Sequence, residues 1–308
     1  MLQPACEITP MQAVDHPLLH RHGIHLHVKR DDLIHPQVSG NKWRKLKYNL
    51  RDAQQKNITT LLTFGGAYSN HIYAFAAATQ LMGFRAIAVI RGEASDKLSP
   101  TLIYAREQGV QLHFVSRRDY RRRADDDFID ELRQQFGDVY LIPEGGSNAL
   151  AIRGVSELVA EMNQQLPRPF DLVCSAVGSG GTLAGLLSGL QDGQRALGVA
   201  VLKNGGFLSE EVQRLINVDN QRIDILLDYH CGGYAKFNDA LVDFIVQFRE
   251  HTDIPLEPVY TGKMMYALFD QIERGRFYRG QCIVALHTGG LQGLLGIKQR
   301  FPAIGARL

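Results

Sequence analysis

The chain has 308 residues, and its 34 Lys and Arg against 32 Asp and Glu give a formal net charge of +2. A domain typically takes about 150 residues, so this length predicts two domains with a sizeable core. Hydrophobic residues make up 45% and charged residues 21%, which is typical of a globular protein and speaks against a nucleic-acid binder or a membrane protein.

Neither targeting nor cross-linking is indicated. The first residues, MLQPACEITPMQAVDHP, lack the apolar core of a signal peptide, and no later stretch is apolar over about 20 residues. The cysteines are scattered and form no C-x-x-C pair; they are Cys6, Cys174, Cys231 and Cys282. We therefore expect reduced thiols in a cytoplasmic protein that does not bind a membrane, with neither a zinc ribbon nor a disulfide framework.

The first predicted strand covers residues 24–28, in which apolar residues alternate with histidines. His25 and His27 would share one strand face, as metal ligands could. No carboxylate or cysteine is close in sequence, which favours solvated histidines and no metal site.

From residue 58 onward, short apolar runs, Gly/Ser/Asn loops and amphipathic stretches alternate. This βα alternation predicts an α/β fold with mostly parallel sheets. The further predicted strands are 60–64, 85–90, 111–115, 139–142, 171–177, 198–202 and 281–286. The five arginines of segment 117–127 are nearly balanced by four aspartates, so nucleic acid is not the expected partner.

Three loops rich in glycine and hydroxyl residues, 65–70, 145–148 and 178–182, each follow an apolar run. Ligands bind beyond the carboxyl ends of parallel strands, so all three could face one crevice. The small residues of loop 178–182, with Ser179 and Thr182, suit a phosphate at a helix N-terminus. This loop lacks the ending of a P-loop and the acid of a dinucleotide fingerprint, and a tight structural turn is the alternative.

A basic segment, SGNKWRKLK at residues 39–47, places Lys42 at an expected helix start. The positive charges of Arg44, Lys45 and Lys47 are expected to lower the pKa of Lys42. A lysine with a lowered pKa suits a Schiff base with a carbonyl compound. Taken alone, the segment could equally be a basic, solvated helix face.

Together, S-G-N-K-x-R-K-L, G-G-x-x-S-N-H, G-G-S-N and G-S-G-G-T resemble the fold type II pyridoxal-phosphate enzymes, and more narrowly the 1-aminocyclopropane-1-carboxylate deaminase and D-cysteine desulfhydrase family. The resemblance covers most of the chain. It implies two domains, each with an open, twisted, mostly parallel sheet, and the cofactor in the cleft between them. Residues 1–48 and 154–308 would form the large domain and 49–153 the small one, in a homodimer that acts on a small amino acid.

The same resemblance implies roles for individual residues. Lys42 would carry pyridoxal 5'-phosphate as a Schiff base, and Lys45 and loop 178–182 would bind its phosphate. The expected cofactor-binding residues are Lys42, Lys45, Asn70, Gly178, Ser179, Gly180, Gly181, Thr182, Thr261 and Thr288. The expected catalytic residues are Lys42, Ser69, Tyr234 and Tyr260, and the expected substrate-binding residues are Ser69, Asn70 and His71.

Ser69 would bind the substrate carboxylate and assist proton transfer, next to the backbone amides of Asn70 and His71 at a helix N-terminus. Asn70 would also bind the phenolic oxygen of the cofactor. Tyr234 in G-G-Y-A and Tyr260 in P-V-Y-T-G-K correspond to the family's two active-site tyrosines. The proton acceptor could be the Schiff-base lysine, or a serine or tyrosine on the other cofactor face, and this choice leaves D or L specificity open.

Two threonines favour one reaction of the family. Ring-opening deaminases have a glutamate directly after the second tyrosine and a leucine in H-x-G-G, where this chain has Thr261 and Thr288. A neutral threonine leaves the pyridine nitrogen largely unprotonated and the carbanion less delocalised, which favours loss of a good leaving group. We therefore expect β-elimination from D-cysteine or a related β-substituted D-amino acid to pyruvate, ammonia and sulfide. Ring opening to 2-oxobutanoate and ammonia is the alternative.

Two more distant hypotheses remain. A nucleotide-dependent oxidoreductase could use loop 178–181 as a dinucleotide turn, but this leaves Lys42, Ser69 and both tyrosines without a role. A cofactor-binding scaffold without turnover is disfavoured because those same residues are present. The segment 203–219 matches no functional residue of the family.

Overall fold

The computed structural model describes residues 8–216 and 222–308, so Cys6 and the last residues of segment 203–219 lie outside the described residues. The strands of the described part are, in chain order, β1 (Met11–Ala13), β2 (His25–Lys29), β3 (Thr60–Gly65), β4 (Arg85–Arg91), β5 (Gln111–Val115), β6 (Tyr140–Ile142), β7 (Leu172–Val177), β8 (Arg195–Ala200), β9 (Ile223–Leu226) and β10 (Cys282–Leu286). They form a larger sheet in the order β1-β2-β10-β7-β8-β9 and a smaller one in the order β5-β4-β3-β6.

All described strand pairs are parallel except β1 with β2. The α-helices of the described residues are α1 (Pro17–His22), α2 (Asn41–Gln55), α3 (Asn70–Leu81), α4 (Pro100–Glu107), α5 (Asp126–Phe136), α6 (Ala149–Gln165), α7 (Gly181–Gly189), α8 (Leu208–Ile216), α9 (Asp239–Thr252), α10 (Thr261–Glu273), α11 (Gly293–Arg300) and α12 (Pro302–Gly305). The predicted α/β class with mostly parallel sheets is confirmed.

Each sheet has helices on both faces, because successive residues of a strand point to opposite sides. In the larger sheet, Cys174 and Ala285 pack against α1, α9 and α10, while Val173 and Val284 pack against α6, α7 and α8. In the smaller sheet, α2, α3 and α4 cover one face and α5 covers the other. These strands are buried on both faces, which is why they are nearly continuous apolar runs in the sequence.

The predicted strands are all present, with ends that agree or differ by at most three residues. Strand β5 has the predicted bounds, whereas β8 begins and ends earlier than the predicted 198–202. The short edge strands β1 and β9 were not predicted, because three or four residues at a sheet edge carry little periodicity.

The chain crosses between the sheets twice. The four strands of the smaller sheet lie within residues 60–142, and those of the larger sheet lie outside this range. Helices α2 and α6 make the crossings and approach closely, since a Cβ at Gly154 would lie 2.0 Å from the Arg44 carbonyl oxygen. The proposed domain boundaries, 48/49 and 153/154, fall inside these two helices and remain predictions.

The strand histidines and the arginines of segment 117–127 have the following surroundings. Of the two strand histidines, His25 is exposed and His27 is half-buried, and no cluster of three or more metal-ligating side chains occurs in the described residues. In segment 117–127, Arg122 pairs with Glu131 and Arg123 with Glu144. No helix in the described part of the chain is long and apolar enough to cross a membrane.

Candidate active site

One cavity of about 690 Å³ lies where strands of both sheets end. The three loops that follow β3, β6 and β7 all line it, as the sequence predicts. The segment after β10 and the first turn of α2 complete its wall. Strand ends of two parallel sheets therefore face one crevice, which is the usual place for a ligand in this class of fold.

Gly40 explains how the first turn of α2 reaches the cavity. This residue has a φ of 63°, and a Cβ there would lie 2.0 Å from the carbonyl oxygen of Thr288. The Asn41 amide donates to that same oxygen at 3.3 Å. Only glycine allows so close an approach, and α2 consequently begins against the 288–289 segment with Lys42 in the cavity wall.

The surroundings of the Lys42 amine change its pKa. Its Nζ donates to the Asn41 side-chain oxygen at 3.1 Å, and burial lowers the pKa of Lys42 to about 8. The predicted direction of this pKa shift is confirmed. The neutral fraction of this amine near neutral pH is therefore far larger than that of an ordinary lysine, which lets it act as a nucleophile.

The predicted cause of that shift is wrong. Arg44 is buried and pairs with Asp31 and Glu161, at 2.8 Å in each case. Lys47 pairs with Glu157 on the outer side of α2. These carboxylates compensate the two cations, so burial rather than the charges of Arg44 and Lys47 lowers the Lys42 pKa.

Lys45 lies one turn further along α2 and is also buried. Its Nζ donates to the Gly145 carbonyl at 3.1 Å and to the Ser147 hydroxyl at 3.0 Å. Burial, and then the charge of Lys42, lower the pKa of Lys45 well below its usual value. Among the described residues, no carboxylate pairs with either amine. The cavity thus concentrates basic groups that an anion would neutralise.

His71 adds a third basic group. Its Nε2 is 2.8 Å from the Thr63 hydroxyl, which donates to the Ile142 carbonyl, so Nε2 carries the hydrogen. Nδ1 is buried with no hydrogen-bond partner, and burial together with the two lysines lowers the His71 pKa well below its usual value. A buried orphan nitrogen beside two amines indicates that the cavity holds a polar ligand.

Loop 178–182 brings further donors to the same place. Helix α7 begins at Gly181, where a Cβ would lie 2.8 Å from Lys45 Nζ. The Ser147 and Ser179 hydroxyls are 3.0 Å apart. The side-chain amide of Asn41 donates through Nδ2 to the Thr182 hydroxyl at 2.8 Å. Backbone N–H groups at a helix start, hydroxyls and a lysine together form a phosphate-type anion site.

The substrate-side residues show one difference from prediction. Ser69 caps α3, and its hydroxyl accepts the amides of His71 (3.2 Å) and Ile72 (3.3 Å). The His71 amide predicted for the substrate carboxylate is therefore already bonded to Ser69. Asn70 lines the cavity and accepts from the Gln292 side chain at 2.9 Å.

The two predicted tyrosines lie together in the cavity wall. The rings of Tyr234 and Tyr260 are 6.0 Å apart and meet edge to face. Burial raises the pKa of Tyr234 and raises that of Tyr260 well above its usual value. Both hydroxyls are therefore protonated near neutral pH and are available as proton donors.

The two predicted threonines are separated. Thr288 lines the cavity, but Thr261 does not. The Thr261 hydroxyl is fully buried and bonded to Glu257 at 3.2 Å, where the start of α10 turns it away from the cavity. The structure thus does not bring Thr261 to the cavity wall as a cofactor ligand.

Sequence reasoning missed two supporting residues. Glu257 accepts three backbone amides at the start of α10, and burial raises its pKa. His287 donates to the Pro255 carbonyl at 2.7 Å and accepts the Gly289 amide, which holds the segment around Thr288. An acid directly before P-V-Y-T-G-K was the available signal for Glu257, and His287 is the histidine of the same H-x-G-G motif that contains Thr288.

Comparison with known proteins identifies the ligand that fits the hydrogen-bond donors of this cavity. A family described as "Pyridoxal-phosphate dependent enzyme" matches residues 2–289, nearly the whole chain. The chain belongs to this family. Membership of the family identifies the cofactor as pyridoxal phosphate. The alternative hypothesis of a nucleotide-dependent oxidoreductase is therefore no longer supported.

Within this family, the chain is similar to proteins of one named group. A Thermotoga maritima protein provisionally named a 1-aminocyclopropane-1-carboxylate deaminase is 34% identical, over 95% of this chain and 96% of its own. An Arabidopsis thaliana protein named bifunctional D-cysteine desulfhydrase/1-aminocyclopropane-1-carboxylate deaminase, mitochondrial, is 30% identical, over 88% and 74%. A crystal structure titled as an ACC deaminase homologue has a TM-score of 0.81 at 30% identity, over 98% and 96%. The predicted resemblance and the fold type II architecture are confirmed.

The residues present fit this cofactor. Its aldehyde needs a nucleophilic amine and its phosphate needs an anion site, and these correspond to Lys42 and to Lys45 with loop 178–182. The orphan Nδ1 of His71 lies in the same cavity.

Proposed function

We propose that this pyridoxal-phosphate-dependent enzyme catalyses β-elimination from D-cysteine or a related β-substituted D-amino acid, giving pyruvate, ammonia and sulfide. The observation that carries the proposal is the wall beside Thr288 and Gly289. Thr288 lines the cavity there, and the buried acid Glu257 does not line this cavity but accepts backbone amides at the start of α10. A wall without a carboxylate favours expulsion of a good leaving group over ring opening.

The remaining acids of the cavity do not change this conclusion. Glu144 and Glu211 are the carboxylates that line it in the described chain. Glu144 pairs with Arg123, and Glu211 pairs with Arg214. Neither is available as an unpaired carboxylate at the Thr288 wall.

Each step of the proposed reaction is assigned to particular residues of the chain. Bound pyridoxal phosphate supplies the electron sink for the carbanion at the substrate Cα. The Lys42 amine, with its lowered pKa, is the group we assign to cofactor attachment and to proton transfer at Cα. Ser69 and Asn70 are assigned to the substrate carboxylate, and the protonated hydroxyl of Tyr260 or Tyr234 donates to the leaving sulfur.

The test is a spectrum followed by a two-product assay. The purified enzyme should show the visible absorption of covalently bound cofactor, and D-cysteine should release sulfide and pyruvate in equal amounts. L-Cysteine, run in parallel, reports the stereochemical preference. Bound cofactor without sulfide from either enantiomer would refute the proposal.

Ring opening remains the second candidate, because both relatives described above carry that activity in their names. 1-Aminocyclopropane-1-carboxylate should then yield 2-oxobutanoate and ammonia. We expect this reaction to be much slower than β-elimination, because among the described residues no unpaired carboxylate lines the cavity to strengthen the electron sink. Equal or faster ring opening would make the deaminase the better description.

We further propose that the enzyme is a cytoplasmic homodimer. The described cysteines are free thiols, with Cys174 and Cys282 buried and Cys231 half-buried, as expected in a reducing compartment. Light scattering on a size-exclusion column should give about twice the 34.4 kDa chain mass, and a monomer mass would contradict the dimer.

A further inference from the structure

Three arginines line the cavity, and two of them are neutralised. Arg123 Nε lies 2.6 Å from Glu144, and Arg214 lies 2.7 Å from Glu211. Arg91 also lines the cavity, but among the described residues it has no carboxylate or hydrogen-bond partner. It is therefore the guanidinium of this wall that is left with an uncompensated charge.

The backbone explains why Arg91 is in the cleft. It is the last residue of β4, at the carboxyl edge where the smaller sheet faces the cavity. Its guanidinium carbon lies 5.7 Å from the Tyr120 ring centroid, and the Tyr120 hydroxyl donates to Glu144 at 2.8 Å. A cation–π contact with an anchored ring holds the exposed side chain in place while leaving its N–H groups free.

Arg91 also lies next to the groups assigned to the substrate. A Cβ added at Gly66, in the loop that leads to Ser69, would lie 3.5 Å from the Arg91 Nη2 atom. Tyr234 is close enough for the charge of Arg91 to oppose the rise of its pKa. The guanidinium thus neighbours the loop assigned to the substrate carboxylate and one of the tyrosines assigned to the leaving group.

We propose that Arg91 binds a negatively charged β-substituent of the substrate. The preferred substrates are then amino acids whose β-substituent is a phosphate ester or a sulfonate and leaves as an oxyanion. This inference rests on the proposed β-elimination and names its substrate class. A guanidinium binds such groups through two parallel hydrogen bonds. It also stabilises the charge that builds up on the departing group.

The reaction balances without a further reagent. The Cα proton is removed, its bonding electrons form the Cα=Cβ double bond, and the Cβ–O or Cβ–S bond breaks. The electron pair leaves with the group, as phosphate from O-phosphoserine or as sulfite from cysteate. One water hydrolyses the released aminoacrylate to pyruvate and ammonia.

The experiment compares charged and uncharged leaving groups in holoenzyme variants. The substrates are O-phosphoserine, cysteate, cysteine and β-chloroalanine, each as both enantiomers, with pyruvate as the common product. The variants are Arg91→Gln, Arg91→Lys and, as a matched control, Arg85→Gln, at the exposed opposite end of the same strand. Phosphate and sulfite assays separate the two oxyanion classes.

We expect wild-type kcat/KM to be highest for an oxyanion substrate. Arg91→Gln should lower that value about 10- to 100-fold, the effect of losing a charged hydrogen bond, while cysteine and β-chloroalanine change little. Arg91→Lys should restore part of the loss, because it keeps the charge without the paired geometry. Arg85→Gln should behave as wild type.

Three results would overturn the proposal. An equal loss for all substrates would place Arg91 on the shared α-carboxylate. A wild-type preference for uncharged leaving groups would exclude the substrate class. If nothing is eliminated at all, the proposed function itself fails; the change in visible absorption on titration with O-phosphoserine then still measures binding, and an unchanged Kd in Arg91→Gln would refute the contact.

Discussion

Two faces of helix α2 carry the same kind of charge in opposite surroundings. Lys42 and Lys45 line the cavity, no carboxylate of the described residues pairs with them, and burial lowers the pKa of each. Arg44 and Lys47 belong to the same helix and pair with acids. The difference teaches that a basic residue in a protein interior acts on ligands only where no acid of the chain already neutralises it.

The largest expected effect comes from removing the reactive amine. Lys42→Ala should abolish the visible absorption of covalently bound cofactor and lower kcat by about 10³-fold or more. Absorption spectra and steady-state pyruvate release measure both effects. Lys56→Ala, at the exposed end of α2, is the control and should keep wild-type values. A retained spectrum in Lys42→Ala would mean that another lysine carries the cofactor.

Removing a partner on the other face should affect folding instead. Asp31→Ala leaves buried Arg44 without one of its two acids, and should lower the free energy of unfolding by about 3 kcal/mol. Asp130→Ala removes the partner of exposed Arg133 and should cost below about 1 kcal/mol. Urea denaturation of the apoproteins measures both. Equal losses would show that burial does not distinguish the two ion pairs.

Replacing Lys45 should move stability and ligand affinity in opposite directions. Lys45→Met should weaken cofactor binding about 10- to 100-fold, because a charged hydrogen bond to the phosphate is lost. The apoprotein should become more stable, since a buried amine that no carboxylate of the described residues neutralises is removed. Equilibrium dialysis and urea denaturation check the two effects. Lys47→Met, on the paired face, should leave cofactor affinity unchanged, and a loss there would contradict the division of the helix.

The last expected effect is the pH dependence of the apoprotein's free energy of unfolding. The pKa of Lys42 is about 8 in the folded protein against 10.5 ordinarily, so above pH 8 the unfolded chain binds more protons. Stability therefore rises with pH between about 8 and 10. Lys263, with a pKa of about 8, contributes in the same window. Lys42→Met should show a shallower rise than wild type in urea denaturation, and an identical slope would contradict the lowered pKa.

Much of the fold could be predicted because its signals are local. Strands buried on both faces are continuous apolar runs, and glycine loops follow them, so the βα alternation and the three cavity loops were visible in the sequence. The short strands β1 and β9 were not, because their pairing depends on neighbours distant in the chain. The motif around Lys42 indicated the family for the same local reason.

The sequence by itself determined the fold class and the cofactor family, and it proposed Lys42 as the attachment residue. Only the tertiary structure decided which charges stay unpaired, because Asp31 and Glu161 reach Arg44 from other elements, while no carboxylate of the described residues pairs with Arg91. It also turned Thr261 away from the cavity and kept Thr288 in it. Pairing and burial depend on contacts between distant segments, and a linear pattern does not contain them.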